Sequence, residues 1–260
     1  MLGAIAGDVI GSVYEFGPPG PEDFPLFEPA RRPTDDSVLT VAIAEAILDR
    51  QPYAGTLRRW AQRYPGAGYG LMFFAWIRTP QAGPYQSYGN GSAMRVSPAG
   101  WIHDTLEATL EEAKRTAEVT YDHAEGIRGA QAVAGAIFIA RTGGSREAVR
   151  ELVQGRFGYD TTLTMARMRR ESKMDETCQG TVPQAASVAL MPASVEDAIR
   201  KAVSLGGDTD TLACIAGSIA EALHGGVPRK LADPVLRCLD ADLRAVVDRF
   251  IRGYSVPIAP

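Results

Sequence analysis

Lysine is scarce in this chain: of 27 basic residues, only Lys114, Lys173, Lys201 and Lys230 are lysines. The remaining cations are arginines, and they are scattered. Their densest group, Arg167, Arg169 and Arg170, stands beside Glu171, Asp175 and Glu176. Acids interleaved in this way make a solvated helix face, and a net charge of -4 adds no electrostatic footprint for nucleic acid, so no nucleic-acid partner is expected. Cysteine is scarce too. Cys178, Cys214 and Cys238 are odd in number, far apart and without a C-x-x-C or Cys/His ligand pattern. That excludes a disulfide framework and a thiolate zinc site, and predicts a reduced chain in the cytoplasm. Long apolar runs are missing as well. The apolar start, Leu2 to Tyr14, carries Asp8 in its middle, lacks a basic leader and is too short for a bilayer, so no membrane partner is expected. Also absent are a G-x-x-x-x-G-K-[ST] loop, a G-x-S-x-G elbow and a G-x-G-x-x-G after a strand. ATPase, esterase and dinucleotide-fold readings therefore lack their anchors.

What the chain has in abundance is helical periodicity. Apolar residues recur at three- and four-residue spacing over residues 37–50, 105–119, 123–141, 195–205, 211–224 and 234–251. No stretch alternates apolar and polar positions between turn signals, and no repeat is evident. With 45% hydrophobic and 22% charged residues in 260, the chain has the composition of a soluble globular protein with one large core. The expectation is an all-α, compact helical bundle, a single domain over residues 1–260, acting as a monomer. Two breaker-rich connections, 17–33 and 79–91, are longer than ordinary helix links, and long loops on a rigid scaffold often carry function.

Two acidic clusters stand at predicted helix starts. Thr34-Asp35-Asp36 precedes the pattern from Ser37, and Asp208-Thr209-Asp210-Thr211 precedes that from Leu212. Each alone reads as a helix cap, because threonine and aspartate satisfy orphan N–H groups and suit the dipole. Two such starts with two acids each suggest more. If they converge, four carboxylates call for a cation, and an all-oxygen set suits Mg²⁺ or Mn²⁺ rather than Zn²⁺. Asp8 and Glu15, seven residues apart in the apolar start, fall on one face if the helix runs through both, and can join the same site. Gly3, Gly7 and Gly11 recur every fourth residue, which permits close approach by another helix.

Ser87-Tyr88-Gly89-Asn90-Gly91-Ser92 can offer successive backbone N–H groups to an anion, or be a plain Gly/Asn turn, with a helix pattern from Ala93. His103 and His224 fall near helix ends and read as cationic caps. His123, opening a helix rich in small residues, reads equally as a cap or a ligand contact.

In this order, these pieces resemble the ADP-ribosylglycohydrolase family. The likeness runs from Gly3-x-x-x-Gly7-Asp8-x-x-Gly11 with Glu15, through Thr34-Asp35-Asp36 and Ser87 to Arg95, to Gly206-Gly207-Asp208-Thr209-Asp210-Thr211. The resemblance implies an orthogonal all-α bundle with a binuclear Mg²⁺ or Mn²⁺ site held by Thr34, Asp35, Asp36, Asp208, Asp210 and Thr211. It also implies Glu15 as a flexible acid over the metals, with Asp35 and Asp36 as the other catalytic carboxylates. The Ser87–Gly91 loop, Ser87, Tyr88, Gly89, Asn90 and Gly91, would hold the diphosphate of ADP-ribose. Tyr69 and Gly70 with Met94 and His123 would complete the substrate contacts. Where many relatives have Thr-His or Ser-His after the loop, this chain reads Thr120-Tyr121, which puts Tyr121 at that contact.

The implied reaction is hydrolysis of the glycosidic bond between ADP-ribose and a modified protein or small molecule, with protein arginine the favoured acceptor. O-linked ADP-ribose, on serine or as O-acetyl-ADP-ribose, is the alternative linkage. A protein that binds ADP-ribose without turnover, and a helical protein whose acids are only caps, are the readings of other classes.

Overall fold

The computed structural model describes residues 1–191 and 193–260. In chain order the helices are α1 (Leu2–Gly11), α2 (Asp35–Asp49), α3 (Tyr53–Arg63), α4 (Leu71–Arg78), α5 (Gly91–Met94), α6 (Leu106–Ala117) and α7 (Ala124–Arg141). After them come α8 (Arg146–Arg150), α9 (Met165–Glu171), α10 (Cys178–Leu190), α11 (Val195–Val203), α12 (Thr209–Leu223), α13 (Arg229–Cys238) and α14 (Ala241–Gly253). The sheet content among the described residues is one parallel pair, β1 (Val227–Pro228) with β2 (Ile258–Ala259). The fold is all-α, as the periodicity predicts. Among the described residues no helix is long and apolar enough to cross a membrane.

The centre of the bundle is α12, buried along nearly its whole length and packed by α1, α7, α10 and α11. Among the described elements its most extensive partnership is with α1, and glycine spacing is the cause. A Cβ on Gly7 would stand 2.0 Å from the Ala213 carbonyl oxygen, and one on Gly3 would stand 2.2 Å from that of Gly217. At Gly11 the obstacle is the Asp210 Cα, 2.6 Å away. Every fourth residue of α1 thus lets two backbones touch, as the Gly3-Gly7-Gly11 spacing predicts. At the far end of α12 the buried Glu221 carboxylate accepts from the Met1 ammonium and from the Leu2 and Gly3 N–H groups, the last two at 3.2 and 3.0 Å.

Three sequence expectations need correction. The apolar spacing over 234–251 predicts one helix, but the chain makes two. Leu239 is extended, and Asp240 caps a new helix by accepting from the Asp242 and Leu243 N–H groups, while the apolar period continues across the break. The start was expected to place Asp8 and Glu15 on one helix face. Helix α1 instead ends at Gly11, where a turn closes from the Tyr14 N–H to the Gly11 carbonyl, so Glu15 stands off the helix. The helix expected from Ala93 is a single turn, α5, continued by a 3₁₀ turn at Ser97–Trp101.

Candidate metal centre

Helices α2 and α12 begin at the same place in space. Thr34 precedes α2 in an extended conformation and its side chain accepts from the Asp36 N–H, which leaves Asp35 and Asp36 in the first turn. Asp208 precedes α12, and its side chain makes no cap bond. Two positive φ glycines, Gly206 at 73° and Gly207 at 74°, turn the chain into that helix. Thr209 anchors it by donating to the Gly11 carbonyl at 2.9 Å.

Between these starts lies Asp8, fully buried. Its carboxylate accepts from the Thr34 N–H (3.0 Å) and hydroxyl (2.6 Å), and from the Ser37 N–H (3.0 Å) and hydroxyl. Asp8 therefore fastens α1 to the head of α2. Carboxylate oxygens of Asp8, Asp36 and Asp210 come within 4.8 Å of one another, and so do those of Glu15, Asp208 and Asp210. Asp210 belongs to both groups, so the two clusters read from the sequence do converge.

Convergence of like charges in a buried place disfavours the ionised forms. Burial, then the charge of Asp210, holds Asp36 and Asp35 well above the usual carboxylate range. Burial, then Asp208, does the same to Asp210. Asp208 is raised to about 6 by burial, and Glu15 to about 7 by burial and then by Asp210. Asp36 Oδ1 is buried without a hydrogen-bond partner, while Oδ2 accepts from the Thr211 hydroxyl at 3.3 Å. An orphaned carboxylate oxygen amid crowded acids fits a cation and fits nothing apolar. The donor set is all oxygen, so these acidic groups can hold a hard divalent metal.

The carboxylates form the floor of a cavity of about 500 Å³. Glu15, Asp35, Asp36, Asp208, Asp210 and Thr211 all line it. Asp35 belongs to neither close group; its N–H donates to the Ala67 carbonyl at 3.0 Å and its side chain lies beside Gly68. Thr34 is turned away, its hydroxyl spent on Asp8. Tyr69 and Gly70 line one wall, and Ser87, Gly89, Asn90, Gly91, Met94 and Tyr121 another. Tyr88 and His123 do not line the cavity. They pack edge to face with ring centroids 5.4 Å apart, and His123 accepts from the Glu125 N–H as the cap of α7.

The Ser87–Gly91 loop is held rather than free. Its Gly89 N–H donates to the Ser87 hydroxyl at 3.1 Å and its Asn90 N–H to the Glu176 carbonyl at 2.8 Å, so those two donors are not available to an anion as the sequence suggests. The Asn90 amide donates to Asp208 Oδ2 at 2.6 Å and to the Thr181 hydroxyl at 2.9 Å, tying the loop to the acidic floor. Behind the loop stands Tyr121. A Cβ on Gly91 would fall 2.1 Å from the Tyr121 hydroxyl, so glycine is what lets the phenol reach this wall. The Tyr121 ring rests 5.0 Å from the guanidinium of Arg95, which is fully buried and donates to the Thr116 carbonyl and the Thr120 hydroxyl, both at 2.7 Å.

Sequence reasoning missed Phe16, Leu71, Met72, Tyr85, Met174 and Glu176, which also line the cavity. Only position relative to a recognised motif could have found them: Phe16 follows Glu15, and Leu71 follows Gly70. Asp8 was readable as a buried acid, but its role in clamping Thr34 and Ser37 was not.

A sequence profile of the ADP-ribosylglycohydrolase family matches residues 1–258. Among curated relatives, the chain is 26% identical to ADP-ribosylhydrolase ARH3 of Gallus gallus over 308 aligned positions, covering 86% of this chain and 84% of the relative. It is 25% identical to ADP-ribosylarginine hydrolase Tri1 of Pseudomonas putida (strain GB-1) over 269 positions, covering 90% and 72%. A solved structure titled ADP-ribosylglycohydrolase-related protein complex superposes with a TM-score of 0.72 at 26% identity, over 96% of each chain. The same all-α architecture, matched along almost its whole length, thus accompanies the acidic floor, and the chain belongs to the ADP-ribosylglycohydrolase family of glycohydrolase enzymes.

Proposed function

We propose that this protein hydrolyses the glycosidic bond between ADP-ribose and a modified protein arginine, with residues 1–260 acting as one domain. The observation that carries the reading is the meeting of the α2 and α12 acids on one cavity floor, with Asp36 Oδ1 unpartnered. Support for arginine comes from the likeness to the Pseudomonas ADP-ribosylarginine hydrolase.

Asp35, Asp36, Asp208, Asp210 and Thr211 would hold two divalent cations, Mg²⁺ or Mn²⁺, while Thr34, whose hydroxyl is given to Asp8, would position the head of α2 beside them. Such ions supply positive charge against the ribose hydroxyls and developing oxyanions, and acidify water. The rest falls to the chain's own groups. Glu15, half-buried and outside α1 in a turn, faces the floor and can shuttle a proton between water and the acceptor. Asp36 and Asp35 provide further carboxylate bases beside it. The Ser87–Gly91 loop, locked by Asn90 to Asp208, sets the diphosphate at a fixed distance from those acids. Tyr121 presents a phenol where relatives use an imidazole, and donates one hydrogen bond from the same wall. Tyr69, Gly70 and Met94 close the cavity around the sugar, and Tyr88 with His123 flank the loop outside it.

Arginine-, serine- and O-acetyl-linked ADP-ribose, each incubated with Mg²⁺ and with Mn²⁺, test the reading by release of free ADP-ribose. The arginine conjugate is expected to be cleaved fastest. Cleavage confined to the O-linked compounds overturns the arginine assignment, and tight binding without release overturns turnover itself.

A further inference from the structure

Seven large apolar side chains stand exposed among the described residues, and four of them, Phe16, Leu71, Met72 and Met174, line the mouth of the cavity above the acids. Single exposed apolar residues are ordinary, whereas a group gathered round a concave site marks a surface that another molecule covers. They come from three separate segments: the turn after α1, the first turn of α4, and the stretch before α10.

Phe16 says most. Its φ of 64° is left-handed, a conformation that a bulky side chain rarely adopts, and its N–H is pinned to the Gly207 carbonyl at 2.8 Å. Yet its side chain remains 72% exposed, so no burial within the fold offsets the strain. Leu71 is 88% exposed at the start of α4, directly after Gly70 on the cavity wall. The ionisable lining of the cavity includes Glu15, Asp35, Asp36, Glu176, Asp208 and Asp210, with no lysine, arginine or histidine. The charge of this cavity is thus confined to its acids, and the apolar members of its mouth suit an uncharged, apolar surface.

We propose that this rim docks the acceptor polypeptide of an ADP-ribosylated protein and seats apolar side chains flanking the modified residue. The inference rests on the ADP-ribosylhydrolase reading. Phe16 follows Glu15 directly, and Leu71 begins the helix after the Gly68–Gly70 stretch beside Asp35. An acceptor leaving the acidic floor crosses both. A lone amino acid is too short to cover side chains from three segments, whereas a polypeptide spans them.

Two fluorescent peptides of equal length, each ADP-ribosylated at a central arginine flanked by leucines or by serines, test the proposal alongside ADP-ribosyl-arginine. Anisotropy at low temperature reads binding, and ADP-ribose release reads turnover. The leucine peptide is expected to bind about tenfold tighter, the factor that burying roughly 55 Å² of apolar surface gives. Leu71→Ser/Met72→Ser should bring the two peptides to parity and change ADP-ribosyl-arginine binding far less than peptide binding. Phe16→Gly, which relieves the left-handed backbone and so does not threaten folding, should reduce the preference too. Equal binding of the two peptides by the unmodified protein overturns the proposal. So does a double variant that weakens ADP-ribosyl-arginine as much as the peptides, because the rim then holds the ADP-ribose part. A tenfold binding preference without release from any substrate leaves the docking surface standing and removes the hydrolase reading instead.

Discussion

The two ends of α12 both bury carboxylates against α1, and they treat them in opposite ways. At the C-terminal end, Glu221 meets a full complement of donors: the Met1 ammonium and two backbone N–H groups. At the N-terminal end, Asp210 meets Asp8, Asp36, Asp208 and Glu15, and Asp36 Oδ1 has no hydrogen-bond partner among the described residues. One end is an acid used to hold helices together. The other is a crowd of acids that the protein alone leaves unneutralised, and that contrast separates a structural carboxylate from one kept for a ligand.

The contrast can be broken by substitution, and the largest effect belongs to the N-terminal end. Asp210→Asn is expected to lower metal-dependent ADP-ribose release by on the order of 10³-fold, the scale of losing one preorganised charge-stabilising group. The metal-free melting temperature should hold or rise, since one repelling charge is gone. Full activity in this variant sinks the site assignment. Glu221→Ala should do the reverse. Removing the acceptor of a buried ammonium costs about 3–5 kcal/mol, read by denaturant titration, with turnover per folded molecule unchanged.

Two further measurements sharpen the difference without mutation. Mg²⁺ or Mn²⁺ at a hundredfold excess over its Kd should stabilise the chelator-treated protein by about 2.7 kcal/mol, a shift absent from Asp36→Asn/Asp210→Asn. Identical shifts in both proteins would place the ion elsewhere. The pH dependence has a definite sign. Asp208 at about 6 and Glu15 at about 7 lie above the value near 4 of an unfolded carboxylate, so the folded state keeps protons that the unfolded state has lost. Metal-free stability is therefore fully present below pH ~4 as far as these groups are concerned, and declines as pH rises towards ~7. Added cation should flatten that decline, and a metal-free melting temperature that climbs from pH 5 to 7 contradicts the unneutralised cluster. The smallest effect lies away from both ends: Asp240→Ala removes the cap of α14 and should cost about 1 kcal/mol, with kinetics untouched.

What sequence could say about this molecule follows from how local each signal is. The start of α12 was legible because Gly206-Gly207 breaks the chain immediately before capping residues and a long apolar period. The α1–α12 approach was legible because a four-residue glycine spacing has few other uses. The break at Leu239 was not, because apolar spacing continues across it and only the Asp240 cap marks the restart. Helix α10 hides behind Gly180 and Pro183, breakers that this helix carries in its first half. The meeting of the acids needed a second source: spacing offered two caps as readily as one metal site, and the family likeness chose between them. Phe16, Leu71 and Met72 left no trace at all, because an exposed apolar residue has no period and gains its meaning only from what surrounds it in space.

The Thr209 hydroxyl reaches the Gly11 carbonyl across 198 residues of sequence. The acidic floor is thus shared between the first 36 residues of the chain and a segment near its end, joined where glycine lets two backbones touch. In folding terms such a centre has very high contact order and cannot assemble from either half alone. If these acids take a cation, its affinity is expected only once the chain has closed on itself, so ion binding during refolding should report a late step rather than the first.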